Sequence, residues 1–255
     1  MANLVVYVLL LAPLVVVLAL SFTSGGGVDF PPRGLSLRWF QYIASRPEFV
    51  TSAGNSVVLA VVSTVLALIL GVMASLGMVR YRFPGKEMVE MLFLAPLVVP
   101  SLIIGIALLQ FFSIIGFMDS FQRLVLGHVL LTIPYTIRSV SATMYSLDPS
   151  LEEASRVMGA GSLRTFWRVV LPMLRPGIVV ACLFAFIISF DNFNVSIFLI
   201  AANTVTLPVR IFAYLQFQFD PSVAAISTVL LVGTVAILAL AERTIGLTRL
   251  PSLAT

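Results

Sequence analysis

One carboxylate stands inside an otherwise apolar run of the sequence, and it is the side chain best suited to bind a charged ligand. Asp191 comes 14 residues after Gly177, where that run begins, and Asn192 and Asn194 lie beside it. On a continuous helix, which rises about 1.5 Å per residue, Asp191 would lie roughly 21 Å into the membrane. A carboxylate at that depth is costly unless it faces a polar cavity or a partner. These three side chains could bind a cation such as an ammonium group; the alternative is a structural hydrogen bond between helices.

The other reactive side chains do not form a catalytic site. Nucleotide hydrolysis needs a glycine-rich loop that ends in Gly-Lys-Ser or Gly-Lys-Thr. Lys86 is the only lysine, and no hydroxyl residue follows it, so this chain cannot supply that loop. His128 is the only histidine; within an apolar run it is expected to bond a neighbouring helix rather than to catalyse or bind zinc. Cys182 is the only cysteine, which excludes an intrachain disulfide. We expect no cofactor.

The segment 148–172 carries a helix start signal of its own, which a simple connector between two spans does not need. Asp148 and Pro149 fit the N-cap and the first position of a helix. Ser150 and Glu153 fit a capping box, which is a competing start two residues later. Either start predicts a short helix immediately after an apolar run.

A glycine turn is predicted to divide this segment into two short helices. Gly159 permits a positive φ and, with Gly161, predicts a sharp bend. Ser162 then fits the cap of a second helix, which Pro172 is expected to stop. Apolar side chains accompany the charges on both helices, namely Leu151, Val157, Met158, Phe166 and Trp167. An amphipathic pair of this kind fits a groove on a partner protein, and the alternative is that it lies on the lipid surface.

The spacing in this segment resembles the EAA loop of binding-protein-dependent ABC importer permeases. The family pattern is E-A-A, three residues, G, nine residues and I-x-L-P; this chain has Glu153-Ala154-Ser155, Gly159 and Val169-Val170-Leu171-Pro172. Ser155 replaces the second alanine, and Val169 replaces the isoleucine. The resemblance implies that residues 148–172, the coupling loop, form coupling helices that sit in a cleft of an ATPase subunit. The residues it assigns to this coupling are Glu153, Ala154, Ser155, Gly159, Gly161, Phe166, Leu171 and Pro172.

Five further motifs are similar to the spermidine/putrescine-type branch of that family. They are Arg82-Phe83-Pro84-Gly85, Ala95-Pro96-Leu97-Val98-Val99-Pro100, Ser189-Phe190-Asp191, Leu207-Pro208-Val209-Arg210-Ile211 and Asp220-Pro221-Ser222-Val223-Ala224-Ala225. The branch often carries a second carboxylate where this chain has Asn192. The resemblance implies import of a polyamine or another small, cationic solute. It also implies ATPase subunits on the cytoplasmic side, a second permease that is commonly a homologue, and an external substrate-binding protein.

The composition requires a membrane around most of the chain. Of 255 residues, 60% are hydrophobic and 10% charged, and the mean hydropathy is +1.09. A soluble domain carries about 25% charged residues. The net charge of +4 does not indicate a nucleic-acid partner, because the basic residues are scattered in loops between apolar runs.

Six apolar stretches are long enough to cross a bilayer, which takes about 20 residues. We therefore predict an all-α, polytopic membrane protein with six transmembrane helices and a two-helix cytoplasmic loop, as one domain over 1–255. The predicted spans are 4–20, 56–79, 91–118, 124–147, 177–202 and 222–241. Pro96, Pro100 and Pro134 are expected to bend the third and fourth spans. The first run could instead be a signal peptide, but no basic residue precedes it.

The distribution of basic residues predicts that both termini are cytoplasmic. The resemblance to the importer permeases implies a bacterial-type inner membrane. The segments on the cytoplasmic side hold Arg80, Arg82, Lys86, Arg156, Arg164, Arg168, Arg175, Arg243 and Arg249. The opposite side holds Arg33, Arg38, Arg46, Arg123 and Arg210, so the bias is modest. In the first external loop, residues 35–43 are expected to form a short helix at the membrane interface.

Two other classes of membrane protein remain possible on the sequence. An independent secondary transporter would need no ATPase, but such proteins usually place several ionisable groups in their spans. This chain has few of them. A membrane enzyme is disfavoured because no paired catalytic groups occur.

Overall fold

The computed structural model describes residues 2–245 of the chain. Within that range the backbone forms helices and one isolated antiparallel bridge between Thr23 and Leu35, which confirms the all-α fold class. Met1 and the C-terminal residues from 246 onward, with Arg249, lie outside the described residues. The predicted positions of the two chain ends therefore stay predictions.

Thirteen α-helices follow one another along residues 2–245, joined by short turns. They are α1 (Ala2–Ser21), α2 (Arg38–Ala44), α3 (Pro47–Arg80), α4 (Lys86–Leu94), α5 (Ser101–Ile114), α6 (Ser120–Tyr145), α7 (Ser150–Val157), α8 (Ser162–Thr165), α9 (Leu171–Met173), α10 (Arg175–Phe190), α11 (Ser196–Leu199), α12 (Leu207–Leu215) and α13 (Ser222–Ile245). A 3₁₀ turn, Ala95–Leu97, follows α4, and a π-helical turn, Phe166–Val170, joins α8 to α9.

Three continuous helices of the described chain are long and apolar enough to cross a membrane: α3, α6 and α13. Two further spans are possible as bent pairs, one joining Lys86–Leu97 to Ser101–Ile114 and the other joining Ser162–Met173 to Arg175–Phe190. An N-terminal apolar helix, Val6–Ser21, is shorter. The several apolar helices agree with a polytopic protein, but the count of six spans is not exactly confirmed.

The predicted third span, 91–118, is not one helix. Its two halves meet at an angle of 105° around Pro96 and Pro100. Neither proline has an N–H to donate, so the hydrogen-bond ladder fails at both positions. Pro134 behaves differently, because α6 continues through it. The prolines were predicted to bend both spans, and only the pair in the third span interrupts a helix.

The chain folds as two compact units. One unit, made of residues 1–56 and 202–238, contains the short helix predicted near the membrane interface, which runs from Arg38 to Ala44. Trp39 on that helix is buried, with the Arg38 guanidinium 4.4 Å from its ring centre. In the same unit, Ser56 Oγ accepts a bond of 2.8 Å from the backbone N–H of Leu207, the first residue of α12.

The other unit, which among the described residues comprises 57–201 and 239–245, contains both candidate sites. Its apolar core lies in two clusters around α6. One cluster includes Leu59, Leu124 and Leu199. The other includes Val140 and Leu174 and receives Phe166 of the coupling loop.

Small residues on one face of α10 let this helix pack closely against α6. The buried positions of α10 recur every four residues: Gly177, Ala181, Ala185 and Ser189. Residues four apart lie on one face of a helix, and small side chains let two backbones approach within a membrane bundle. At Gly177 a Cβ would lie 2.9 Å from the Ser139 carbonyl oxygen and would also collide with the Thr143 hydroxyl.

Gly177→Ala is therefore expected to destabilise the packing of α6 against α10. Overpacking a tight site costs about 1–3 kcal/mol, so the detergent-solubilised protein should unfold at a lower temperature. Gly77→Ala is the matched control, because a Cβ at Gly77 in α3 meets no atom within 4 Å and alanine favours the helix. Equal melting temperatures for the two variants would contradict the close approach at Gly177.

Candidate functional site

The first helix of the coupling loop begins one residue after the first of the two predicted starts: α7 starts at Ser150, and Pro149 holds the cap position predicted for Asp148. The carboxylate of Asp148 accepts a bond of 2.9 Å from the backbone N–H of Ser150, the first residue of α7. This bond is the main reason why the pKa of Asp148 lies below its usual value, since it favours the charged carboxylate. Ser150 is the first residue of α7 and not its cap, so the alternative capping box with Glu153 is wrong.

An ion pair fastens α7 to the end of α3. Both guanidinium NH groups of Arg80 donate to the two carboxylate oxygens of Glu152 in a bidentate arrangement. The two side chains are largely shielded, with 27% and 15% of their surfaces exposed. Bidentate pairs fix geometry as well as charge. The sequence contained both residues, but nothing in their spacing showed that they would meet.

The predicted glycine turn is present, and one glycine carries it. Gly159 has a φ of +83°, a conformation that L side chains rarely adopt. The backbone N–H of Ala160 donates to the carbonyl of Ser155 at 3.1 Å and closes the end of α7. Gly161 is extended instead, with φ −67° and ψ 160°.

The second half of the loop differs from its prediction. Ser162 is the first residue of α8 but makes no capping bond, because Gly161 holds the cap position. Pro172 does not stop the chain of helical turns; it is the second residue of α9, which continues directly from the helical backbone before it. The π-helical turn Phe166–Val170 widens the backbone just before it.

A buried hydrogen bond joins the two short helices across the turn. The hydroxyl oxygens of Ser155 and Thr165 are 3.1 Å apart, and both residues are buried. Phe166 is half-buried against the core cluster around Val140. These side chains hold the loop in shape rather than face outward, and so do the half-buried Leu171 and Pro172.

Four apolar side chains around the turn face outward, and we call them the coupling surface. Val157 is 87% exposed, Met158 82%, Leu163 73% and Trp167 60%. Glu153 and Ala154 are exposed on the same loop. Large apolar groups exposed together mark a surface that another molecule covers. Leu163 was absent from the predicted set.

Asp191 follows the last residue of α10 and does not lie inside a helix. The helix stops at Phe190, and the predicted span 177–202 is not one helix, because the chain turns at 191–195 and resumes as α11. The Asp191 side chain is exposed in the single chain.

The two predicted neighbours of Asp191 are engaged in holding the turn. The Asn192 carbonyl oxygen Oδ1 accepts from the backbone N–H of Val195 at 2.9 Å. Asn194 Nδ2 donates to the hydroxyl of Ser101 at 2.8 Å, at the start of α5. The three predicted residues thus lie in one turn. The side chains of Asn192 and Asn194 each make a described hydrogen bond, and the Asp191 carboxylate does not.

A cavity of about 350 Å³ lies at the break in the third span. Pro96, Pro100 and Ser101 line one side, and Tyr135 of α6 and Asn192 line another. Because Pro100 has no N–H, the carbonyl of Pro96 has no donor at the usual α-helical position. Polar backbone at membrane depth is tolerated where it lines a cavity.

His128 bonds neighbouring helices, as the sequence predicted. It is 1% exposed, and its two ring nitrogens lie 2.8 Å from Ser189 Oγ and 3.0 Å from Ser196 Oγ. Among the described residues, no three His, Cys, Asp or Glu side chains are grouped so that they could hold a metal ion.

Comparison with protein families and relatives gives a consistent result. A family model described as "Binding-protein-dependent transport system inner membrane component" matches residues 63–243. The chain is 31% identical to the putrescine transport system permease protein PotI of Escherichia coli (strain K12), over 91% of this chain and 86% of that protein. It is 28% identical to the spermidine/putrescine transport system permease protein PotC of Haemophilus influenzae, over 93% and 92% of the two chains. It is also 29% identical to the sulfate transport system permease protein CysT of Salmonella typhimurium, over 79% of each.

A solved structure shares the fold. A chain of a bacterial ABC transporter involved in the import of the acidic polysaccharide alginate superposes with a TM-score of 0.74 at 17% identity. The match covers 94% of this chain and 92% of that chain.

Proposed function

Since the chain belongs to the family of binding-protein-dependent transport system inner membrane components, we propose that it couples ATP hydrolysis in separate subunits to the import of a small cationic solute. It is a multi-pass inner-membrane protein and the transmembrane permease subunit of an ABC importer. The proposal concerns the residues that do this work, the solute and the subunits that assemble with the chain.

The coupling surface carries the proposal. It presents four exposed apolar side chains on a loop held from behind by the Ser155–Thr165 bond and the Arg80–Glu152 pair. A preformed apolar projection loses little entropy on binding, so it suits a groove on a partner. We propose an ATPase subunit as that partner. Glu153 and Ala154 would contact it directly, whereas Ser155, Phe166, Leu171 and Pro172 would set the shape of the loop. Gly159 would set its turn, and Gly161 would lead from that turn into the second helix at a position that does not require glycine.

Asp191 is the proposed contact for the solute. Its carboxylate is exposed at a turn close to the broken third span, and Asn192 of the same turn lines the cavity there. A carboxylate attracts an ammonium group, and two of the relatives named above are permeases for putrescine or spermidine. The sulfate permease shows that one family serves solutes of opposite charge, so the charge at Asp191 is the feature that favours a cation here.

The remaining partners follow from the role of a permease subunit. A second permease, expected to be a homologue, would enclose the passage together with this chain, and an external substrate-binding protein would deliver the solute. Lipid would cover other exposed apolar faces. Docking of the coupling surface on an ATPase requires the loop to face the cytoplasm. The basic residues Arg156, Arg164 and Arg168 on that loop support this orientation, with both termini on the same side.

Trp167→Ala is expected to weaken the association with the ATPase. Truncating a buried aromatic anchor at an interface costs about 2 kcal/mol or more, which is roughly thirtyfold in affinity. The measurement is the amount of ATPase subunit that copurifies with the tagged permease in mild detergent.

Phe217→Ala is the matched control, because Phe217 is an aromatic residue of the other unit and is 86% exposed. Its ATPase yield should equal that of the unaltered permease. If Trp167→Ala retained the full amount of ATPase, the coupling surface would not be the docking site.

A further inference from the structure

We propose that His128 is a positioning residue that pins together the two sides of the break after α10 and thereby fixes the turn that carries Asp191. As far as transport is concerned, the inference rests on the proposed role of Asp191. The pinning itself does not.

The geometry places one imidazole between the two ends of the turn. His128 belongs to α6, Ser189 to the last turn of α10, and Ser196 is the first residue of α11. All three are at least 97% buried. The five residues 191–195 leave the helix and return between the two serines, so bonds from a single ring to both serines close the loop at its base.

Donor and acceptor in each of these bonds follow from the Asn192 backbone carbonyl, with which the series of bonds ends. Ser196 Oγ lies 2.6 Å from the backbone carbonyl oxygen of Asn192. A carbonyl oxygen only accepts, so the Ser196 hydroxyl donates its proton there. Ser196 Oγ must then accept from His128 Nε2–H at 3.0 Å. A neutral ring leaves Nδ1 as an acceptor, and the Ser189 hydroxyl donates to it at 2.8 Å. The chain of bonds is complete with an uncharged imidazole that carries its proton on Nε2.

The same chain of bonds reaches the residue after Asp191. The backbone carbonyl of Asn192 accepts from the Ser196 hydroxyl. The backbone N–H of Asp191 donates to the carbonyl of Ile187 at 3.0 Å. The backbone of Asp191 is therefore fixed on both sides. A rigid ring with two nitrogens on opposite edges holds both serines at once, one from each edge.

Loss of the ring should loosen the turn without unfolding the protein. In His128→Leu, the two serine hydroxyls can bond carbonyls of their own helices, and leucine fills the apolar space. We expect the apparent KM for solute uptake to rise about tenfold, the factor that goes with losing roughly one buried hydrogen bond. The maximal rate should stay within about twofold, as when ground-state placement alone is lost.

A nitroxide at position 191 reports on the turn directly. It is attached to Asp191→Cys in a Cys182→Ser background, within the importer assembled with its other subunits. We expect the spectrum to show faster probe motion after His128→Leu and after Ser196→Ala. Thr132→Val is the matched control, because the buried Thr132 hydroxyl bonds only carbonyls of its own helix, those of His128 and Val129. Its spectrum and its KM should not change.

The two readouts separate the inference from the proposed function. An unchanged probe spectrum in His128→Leu and in Ser196→Ala would overturn the pinning role, whatever happens to uptake. If the probe loosened while Asp191→Asn left uptake intact, the pinning would stand and the solute contact would fall. Should His128→Leu fail to assemble, Ser189→Ala applies the same test, because it removes one bond to the ring and none to residues 191–195. Ser196→Ala removes a bond to the ring and also the bond to the Asn192 backbone carbonyl.

Discussion

Gly159→Val is expected to reduce coupled uptake more than any other single change in the coupling loop. At a φ of +83°, an ordinary L residue is strained by about 1–2 kcal/mol, and a β-branched side chain by more. The turn would relax to a negative φ and carry Val157 and Met158 away from their present directions. Since those side chains form the coupling surface, we expect uptake to fall at least tenfold, which is about 1.4 kcal/mol.

The measurement is solute uptake and ATP hydrolysis by the reconstituted importer with its loaded binding protein. Gly161→Val is a close control, two residues away. Gly161 is extended, and a Cβ there meets no atom within 4 Å, so valine fits both its backbone and its surroundings. Gly159→Asn should recover part of the activity, because asparagine tolerates the left-handed region. Normal uptake by Gly159→Val would show that the turn is not needed for coupling.

Asp191→Asn is expected to lower uptake of a cationic solute about tenfold or more, since a hydrogen bond to a charged group contributes about 1.5–3 kcal/mol. The substitution keeps the shape of the side chain and removes its charge. Basal ATP turnover should change little, because the residue lies outside the coupling loop. Uptake of radiolabelled putrescine and ATP hydrolysis are measured on the same vesicles.

Asn192→Asp offers the reverse change on the adjacent residue. Its Oδ1 already accepts from the Val195 N–H, and an aspartate can accept the same bond, so the turn should keep its geometry. A second carboxylate should favour a dication over a monocation. Equal losses of uptake and ATP turnover in Asp191→Asn, or no loss in either, would remove Asp191 from the solute passage.

The coupling loop shows how far local signals predict a structure. Asp148 and Gly159 act through their own backbone and its nearest neighbours, so their roles could be read from residue type and spacing. The Arg80–Glu152 pair and the Ser155–Thr165 bond join residues distant in sequence, and nothing in the local pattern selects those partners. The loop was therefore predictable in outline, whereas the bonds that brace it were not.

The spans show a similar limit. Hydropathy measures how apolar a stretch is, and apolar residues continue across Pro96–Pro100 and again from Val195 to Ala202, although the helices are interrupted before them. It follows that apolar length overestimates helix length wherever a span breaks within protein. The breaks that concern Asp191 depend on buried bonds from α6, which a one-dimensional profile does not contain.

The hydroxyl pair at Ser155 and Thr165 makes these two positions a single unit for anyone who builds chimeric permeases. The resembling family pattern has alanine where this chain has Ser155; an alanine here would leave the Thr165 hydroxyl buried without this partner, which costs about 1–3 kcal/mol. A graft that carries the first short helix from another permease must therefore bring its own counterpart of Thr165. In a chimera joined between positions 155 and 165, the two residues would come from different permeases. Their side chains would then not match, although each parent has a matched pair.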